Sequence, residues 1–153
     1  MIEVSKQLAL PVAPQIVWDL LSNPGTVCEC VPGATLERQR EDGTYDAALI
    51  VRFSSLKVTF RTNFTLELDA AAMAGTVTSK GKDTRGGMRV HATMRFKVVE
   101  MISPPGSSIF IDANAEVTGR LATVVESGAS LVIEYLTKAF SERLASRCAG
   151  AIE

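Results

Sequence analysis

Residues 118–147 read TGRLATVVESGASLVIEYLTKAFSERLASR, and after Gly119 no proline interrupts the run for about eight helical turns. At roughly 100° per residue, Leu121, Val125, Gly128, Val132, Leu136 and Ala139 fall on one side. Val124, Leu131 and Tyr135 flank that stripe, while Thr123, Glu126, Ser130, Glu134, Thr137 and Ser141 cover the far side. The spacing predicts one long amphipathic helix, and such a helix must bury its stripe against a partner layer.

The preceding residues supply that layer. Tyr45, Ala47, Leu49, Val51 and Phe53 alternate with Asp46, Ala48, Ile50 and Arg52, and Ser54-Ser55 reads as a tight turn. Val58, Phe60, Thr62, Phe64, Leu66 and Leu68 then alternate with Thr59, Arg61, Asn63, Thr65 and Glu67, which predicts a hairpin with one apolar and one wet face. A weaker strand spans 75–82, and residues 83–87 form a glycine-rich turn or bulge. Met88, Val90, Ala92, Met94, Phe96 and Val98 alternate with Arg89, His91, Thr93, Arg95 and Lys97, the most regular strand of the chain. After Pro104-Pro105-Gly106, Ile109, Ile111, Ala113, Ala115 and Val117 alternate with Phe110, Asp112, Asn114 and Glu116.

At the start, Ile2, Val4, Leu8 and Leu10 suit a first strand that Pro11 and Pro14 end. Pro14 suits a first helical turn, and Ile16, Val17, Trp18, Leu20 and Leu21 make a short amphipathic helix broken by Asn23-Pro24-Gly25. One more helical turn fits 26–31 before Pro32-Gly33. The fold class expected is α+β: a curved antiparallel sheet with two short helices after its first strand, wrapped around the final helix.

The 153 residues form one domain, 1–153, with room for a real core. With 46% hydrophobic and 22% charged residues the composition is that of a soluble globular protein. A net charge of −1 gives no electrostatic case for nucleic acid as a partner. No run approaches the roughly 18 apolar residues that cross a bilayer, and MIEVSKQLAL lacks the pattern of a secretory signal. Cys28, Cys30 and Cys148 are odd in number, which argues against a disulfide framework, and a C-x-C with one histidine is poor zinc-site material. Reduced thiols in a cytoplasmic protein, with no metal and no cofactor, are expected.

Several inward positions are small: Ala47, Ala92, Ala113 and Ala115 on strands meet Gly128, Ala129 and Ala139 on the helix. Either the layers approach closely there or an apolar cavity lies between them. The candidate lining comprises Trp18 from the short helix, then Ala47, Leu49, Val51, Phe53, Phe60, Thr62 and Phe64 from the hairpin. Met88, Val90, Ala92, Met94, Phe96, Ile111, Ala113 and Ala115 come from the later strands. Leu121, Val125, Gly128, Val132, Tyr135 and Leu136 come from the helix.

No catalytic set is visible. The one histidine, His91, alternates onto the wet face, no two carboxylates confront each other inward, and Ser22, Ser127 and Ser130 have no histidine in reach. The run 81–87 lacks the closing Gly-Lys-Ser/Thr and following helix of a phosphate loop. Lys80, Lys82, Arg85 and Arg89 form a basic cluster: a solvated face, or a candidate docking patch for an acidic partner.

The segment Val12-Ala13-Pro14-Gln15-Ile16-Val17-Trp18-Asp19-Leu20-Leu21, then Asn23-Pro24 and Cys30-Val31-Pro32-Gly33, resembles the N-terminal signature of CoxG proteins, the accessory subunits of carbon monoxide dehydrogenase. These belong to the START-related helix-grip (SRPBCC) superfamily. The likeness continues through Gly81-Lys82, Gly86-Gly87 and Val117-Thr118-Gly119-Arg120-Leu121-Ala122 and covers nearly the whole chain. The resemblance implies a seven-stranded helix grip with a cavity that holds a lipid- or quinone-like molecule. It further implies a non-catalytic accessory protein that assists or docks a molybdenum hydroxylase and recruits it to the membrane. Many CoxG proteins carry an apolar C-terminal anchor. Here residues 148–153 are too short to span a bilayer, so the expected location is cytoplasmic, with peripheral association at the inner membrane face left open. The alternative is a small helix-grip enzyme of the cyclase or hydratase kind acting on an apolar substrate, for which Thr62, Ser79 and Tyr135 are the inward polar groups.

Overall fold

Proline and asparagine set the first turn of the chain in a computed structural model that describes residues 1–53 and 55–152. Strand β1 (Ile2–Leu10) ends before Pro11, and α1 (Pro14–Leu21) begins on a proline whose missing N–H costs nothing at a helix start. Asn23 caps α2 (Pro24–Cys30), its Oδ1 accepting from the Gly25 and Thr26 amides at 3.0 and 3.3 Å. Six strands follow: β2 (Ala34–Gln39), β3 (Tyr45–Phe53), β4 (Leu56–Asp69), β5 (Ala74–Asp83), β6 (Met88–Met101) and β7 (Gly106–Gly119). The last element, α3 (Ala122–Ile152), is 31 residues long. Ser54 of the expected tight turn and Glu153 lie outside the described residues.

The seven strands form one antiparallel sheet in the order β1-β7-β6-β5-β4-β3-β2. This is the α+β helix-grip architecture, with the sheet curved around α3. Strand β2 has no clear alternation in sequence: Leu36 is its one large apolar residue, and a bulge shifts the register between Leu36 and Arg38. On β1 the inward position between Val4 and Leu8 is held by Lys6, whose Nζ donates to Glu134 Oε1 of α3 at 3.1 Å. Glu134, expected on the far side of the helix, therefore reaches back to the sheet.

Two apolar clusters lie between sheet and helix. One gathers Leu10, Val17, Trp18, Leu21, Phe96, Ile109, Leu144 and Cys148, with the Trp18 and Phe96 rings 6.1 Å apart. The other gathers Val51, Phe53, Phe60, Met88, Val117 and Val125. The buried residues of α3 are Val125, Ala129, Leu144 and Cys148, with Leu136 and Phe140 half-buried between them. Steps of four residues advance about 40° around the axis, so the buried face swings by about 140° from Val125 to Cys148. Of the expected stripe only Val125 is fully buried; Leu121, Gly128, Val132, Leu136 and Ala139 are half-buried. The C-terminal half is fastened to α2 by Arg147, ion-paired with Glu29, and by Arg143, which donates to the Glu29 carbonyl at 3.4 Å. Burial pushes the Cys28, Cys30 and Cys148 thiols up, which disfavours the reactive thiolate. Among the described residues no helix is long and apolar enough to cross a membrane.

The outer strands are held by a charged knot. Asp46 on β3 accepts from Arg40 Nε and Arg38 Nε, each at 2.9 Å, and from Asn63 Nδ2 at 3.1 Å. The hydrogen bonds from Arg40, then Arg38 and Asn63, hold its carboxyl well below the usual carboxylate range. A carboxyl depressed on folding stabilises fully above its unfolded pKa, and that contribution is lost as pH falls through the folded value. The melting temperature of the wild type is therefore expected to drop more steeply than that of Asp46→Asn below about pH 4. Parallel acid profiles for the two proteins would contradict the assignment.

Candidate functional site: an apolar groove beside strand three

Helix α3 and the end of β3 leave a groove between them. It has a volume of about 860 Å³ and opens to solvent. Val51 and Phe53 of β3 line it with Ile50 and Arg52, Pro32-Gly33 of the α2–β2 turn forms one rim, and Thr123, Val124, Ser127, Gly128, Leu131, Val132, Tyr135 and Leu136 of α3 form the opposite wall. The volume lies within the range of small-molecule sites, ~300–1,000 Å³.

Local geometry explains the shape. Gly33 has φ +82°, and a Cβ there would stand 2.3 Å from the Ile50 carbonyl oxygen. Its own carbonyl accepts from the Ile50 amide at 3.0 Å, so the rim is tied to β3 through backbone. Gly33→Ala would meet both a left-handed backbone and a clash with backbone. A loss of about 2 kcal/mol is expected, or about 4–8 °C in melting temperature for a chain of this size. A wild-type melting curve for this variant would show that the rim yields more readily than these distances imply. Across the groove a Cβ on Gly128 would lie 3.3 Å from Phe53 Cδ1, so the bare helix backbone rests against that ring. Beyond that contact α3 turns large side chains into the opening: Val124, Leu131 and Tyr135 are 42%, 80% and 63% exposed.

Of the residues expected to line a cavity, Val51, Phe53, Gly128, Val132, Tyr135 and Leu136 meet around this groove. Phe60, Met88 and Val125 lie in the adjoining cluster, with Leu49, Val90 and Leu121 packed against it. Trp18 and Phe96 belong to the other cluster, with Met94 and Ile111 against it. The Phe64 ring stacks on Tyr45 at 5.2 Å, and the Thr62 hydroxyl donates to the Ala47 carbonyl at 3.4 Å. Ala47 is buried; Ala92, Ala113 and Ala115 are half-buried on β6 and β7. The lining residues that strand and helix periodicity does not assign to a cavity are Pro32, Gly33, Ile50, Arg52, Thr123, Val124, Ser127 and Leu131. Their signal in the sequence is the apolar flank of the helical stripe and the proline-glycine turn. His91, Lys80, Lys82, Arg85 and Arg89 are exposed, and all but Arg85 line a separate polar recess.

A family profile for the carbon monoxide dehydrogenase subunit CoxG matches residues 7–149. The chain belongs to the CoxG family. The matched span includes both short helices, every strand from β2 to β7 and nearly all of α3. No curated protein matches the sequence significantly. Among solved structures, a conserved protein from Geobacillus kaustophilus superposes with a TM-score of 0.82 at 19% identity, covering 98% of this CoxG chain and 97% of its own. The Zhui aromatase/cyclase from Streptomyces sp. R1128 gives 0.65 at 11% identity, covering 99% and 96%. A norcoclaurine synthase from Thalictrum flavum gives 0.64 at 15% identity, with the same coverage. At these identities the likeness establishes the helix-grip fold of this CoxG family member and leaves its chemistry to its own residues.

Proposed function

We propose that this CoxG family protein is a non-catalytic accessory factor that holds a lipid- or quinone-like molecule in the groove and assists or docks a molybdenum hydroxylase of the carbon monoxide dehydrogenase type. Family membership supports the enzyme partner. The observation that carries the ligand is the exposed apolar wall, where Val124, Leu131 and Tyr135 stand uncovered over Val51, Phe53 and Val132. Apolar surface gathered in a concavity is the kind that gains most from an oily occupant. Among the described lining residues, Arg52 and Tyr135 are the ionisable ones, and His91 stands on the outer face, which supports binding rather than acid–base turnover.

Native mass spectrometry and organic extraction of the purified protein test the reading. A co-purifying lipophile, or a melting temperature raised by an added quinone, is the expected result. Empty protein indifferent to quinones would end it. Turnover of an apolar substrate that is lost in Tyr135→Phe would instead mark the enzymatic alternative.

A further inference from the structure

On the outer face of the sheet, Arg61, Lys82 and Arg89 stand directly opposite one another on β4, β5 and β6. Like charges in that relation work against the sheet. Arg61 is answered by Glu37, which accepts from its Nη1 at 3.2 Å. Lys82 and Arg89 make no ion pair among the described residues, and the next residue in the row, on β7, is the neutral Thr118. Lys80 and His91, paired in register beside them, widen the basic field. These side chains are exposed around a recess of about 630 Å³ on the side of the sheet away from α3.

The chemistry of the recess selects its occupant. Its lining has no apolar side chain, so it offers nothing to insert among lipid tails. The chain as a whole carries a net charge of −1, which gives a nucleic acid little long-range attraction. A short row of cations with fixed cross-strand spacing suits carboxylates presented by a polypeptide, which Arg89 can take two-pronged and Lys82 as a point charge. We propose that the outer face of β4–β6 docks an acidic protein surface, with Lys82 and Arg89 as its principal contacts. This surface is independent of the groove and of what the groove holds.

Poly-L-glutamate is the probe, compared with phosphatidylcholine vesicles containing phosphatidylglycerol and with a DNA duplex. The wild type is expected to bind poly-L-glutamate at low salt and to release it as salt rises. The double variant Lys82→Gln/Arg89→Gln should bind it about tenfold or more weakly, while the free variant melts at the wild-type temperature or about 1–2 °C higher because the like-charge row is relieved. Unchanged binding by the variant overturns the proposal. So does a preference for vesicles or duplex over poly-L-glutamate, or a lower melting temperature, which would make the two cations structural.

Discussion

Trp18→Ala is expected to lower the stability of the chain by about 3–5 kcal/mol, which for this length is about 10 °C or more in melting temperature. Trp18 is the only tryptophan and 5% exposed. Its ring packs against Phe96 from α1, in the cluster where Leu144 and Cys148 of α3 meet Ile109 of β7. Removing the indole leaves a void that α1 cannot close, because Pro14 and the Asn23 cap fix its two ends. The groove is built on the other cluster, so a variant that remains folded in the cold should still take up an apolar ligand. Circular dichroism melts together with ligand titration below the transition would check both halves. Loss of uptake in protein that is fully folded would mean that the two clusters are coupled more tightly than their packing suggests.

Gly128→Leu is expected to do the reverse. A side chain at this position starts 3.3 Å from Phe53 Cδ1 and can extend only into the groove. Crowding of this kind costs about 1–3 kcal/mol, and replacing a mid-helix glycine recovers about 0.5–1 kcal/mol of it. The net change in stability is therefore small, while uptake of an apolar ligand should fall by about tenfold or more as the volume is filled. Ser130→Leu, at an exposed position on the other side of α3, is the control and should bind as the wild type does. If Gly128→Leu unfolds the protein yet the folded fraction binds normally, the groove is not where the ligand sits.

The architecture was legible where one face of a strand is wet and the other dry. Strands β3, β4, β6 and β7 alternate over most of their length, and proline and asparagine mark both short helices. Strand β2 was not, because an edge strand bearing one large apolar residue and a bulge has no period to read. Lys6 at an inward position breaks the alternation of β1, and its reason, Glu134, lies 128 residues away.

The groove was legible only in part. Periodicity identifies which side chains point inward, and Val51, Phe53, Gly128, Val132, Tyr135 and Leu136 meet around one opening. It does not say how far the helix stands from the sheet at each turn. That separation depends on contacts distant in sequence: the Gly33 rim against Ile50, Gly128 against Phe53, and Arg147 holding Glu29 at the far end of the helix. The same uncertainty applies to inward residues such as Phe60, Met88 and Phe96, which alternation alone places on a cavity wall and which pack into the two clusters.

The central claim is that the opening between α3 and β3 is where an oily molecule binds. Methyl NMR during titration with a short-chain quinone addresses it most directly. The methyls of Val51, Val124, Leu131, Val132 and Leu136 are predicted to shift, while those of Leu10, Leu144 and Ile109 in the other cluster stay in place. Shifts confined to that other cluster, or a spectrum untouched by the quinone, would contradict the account.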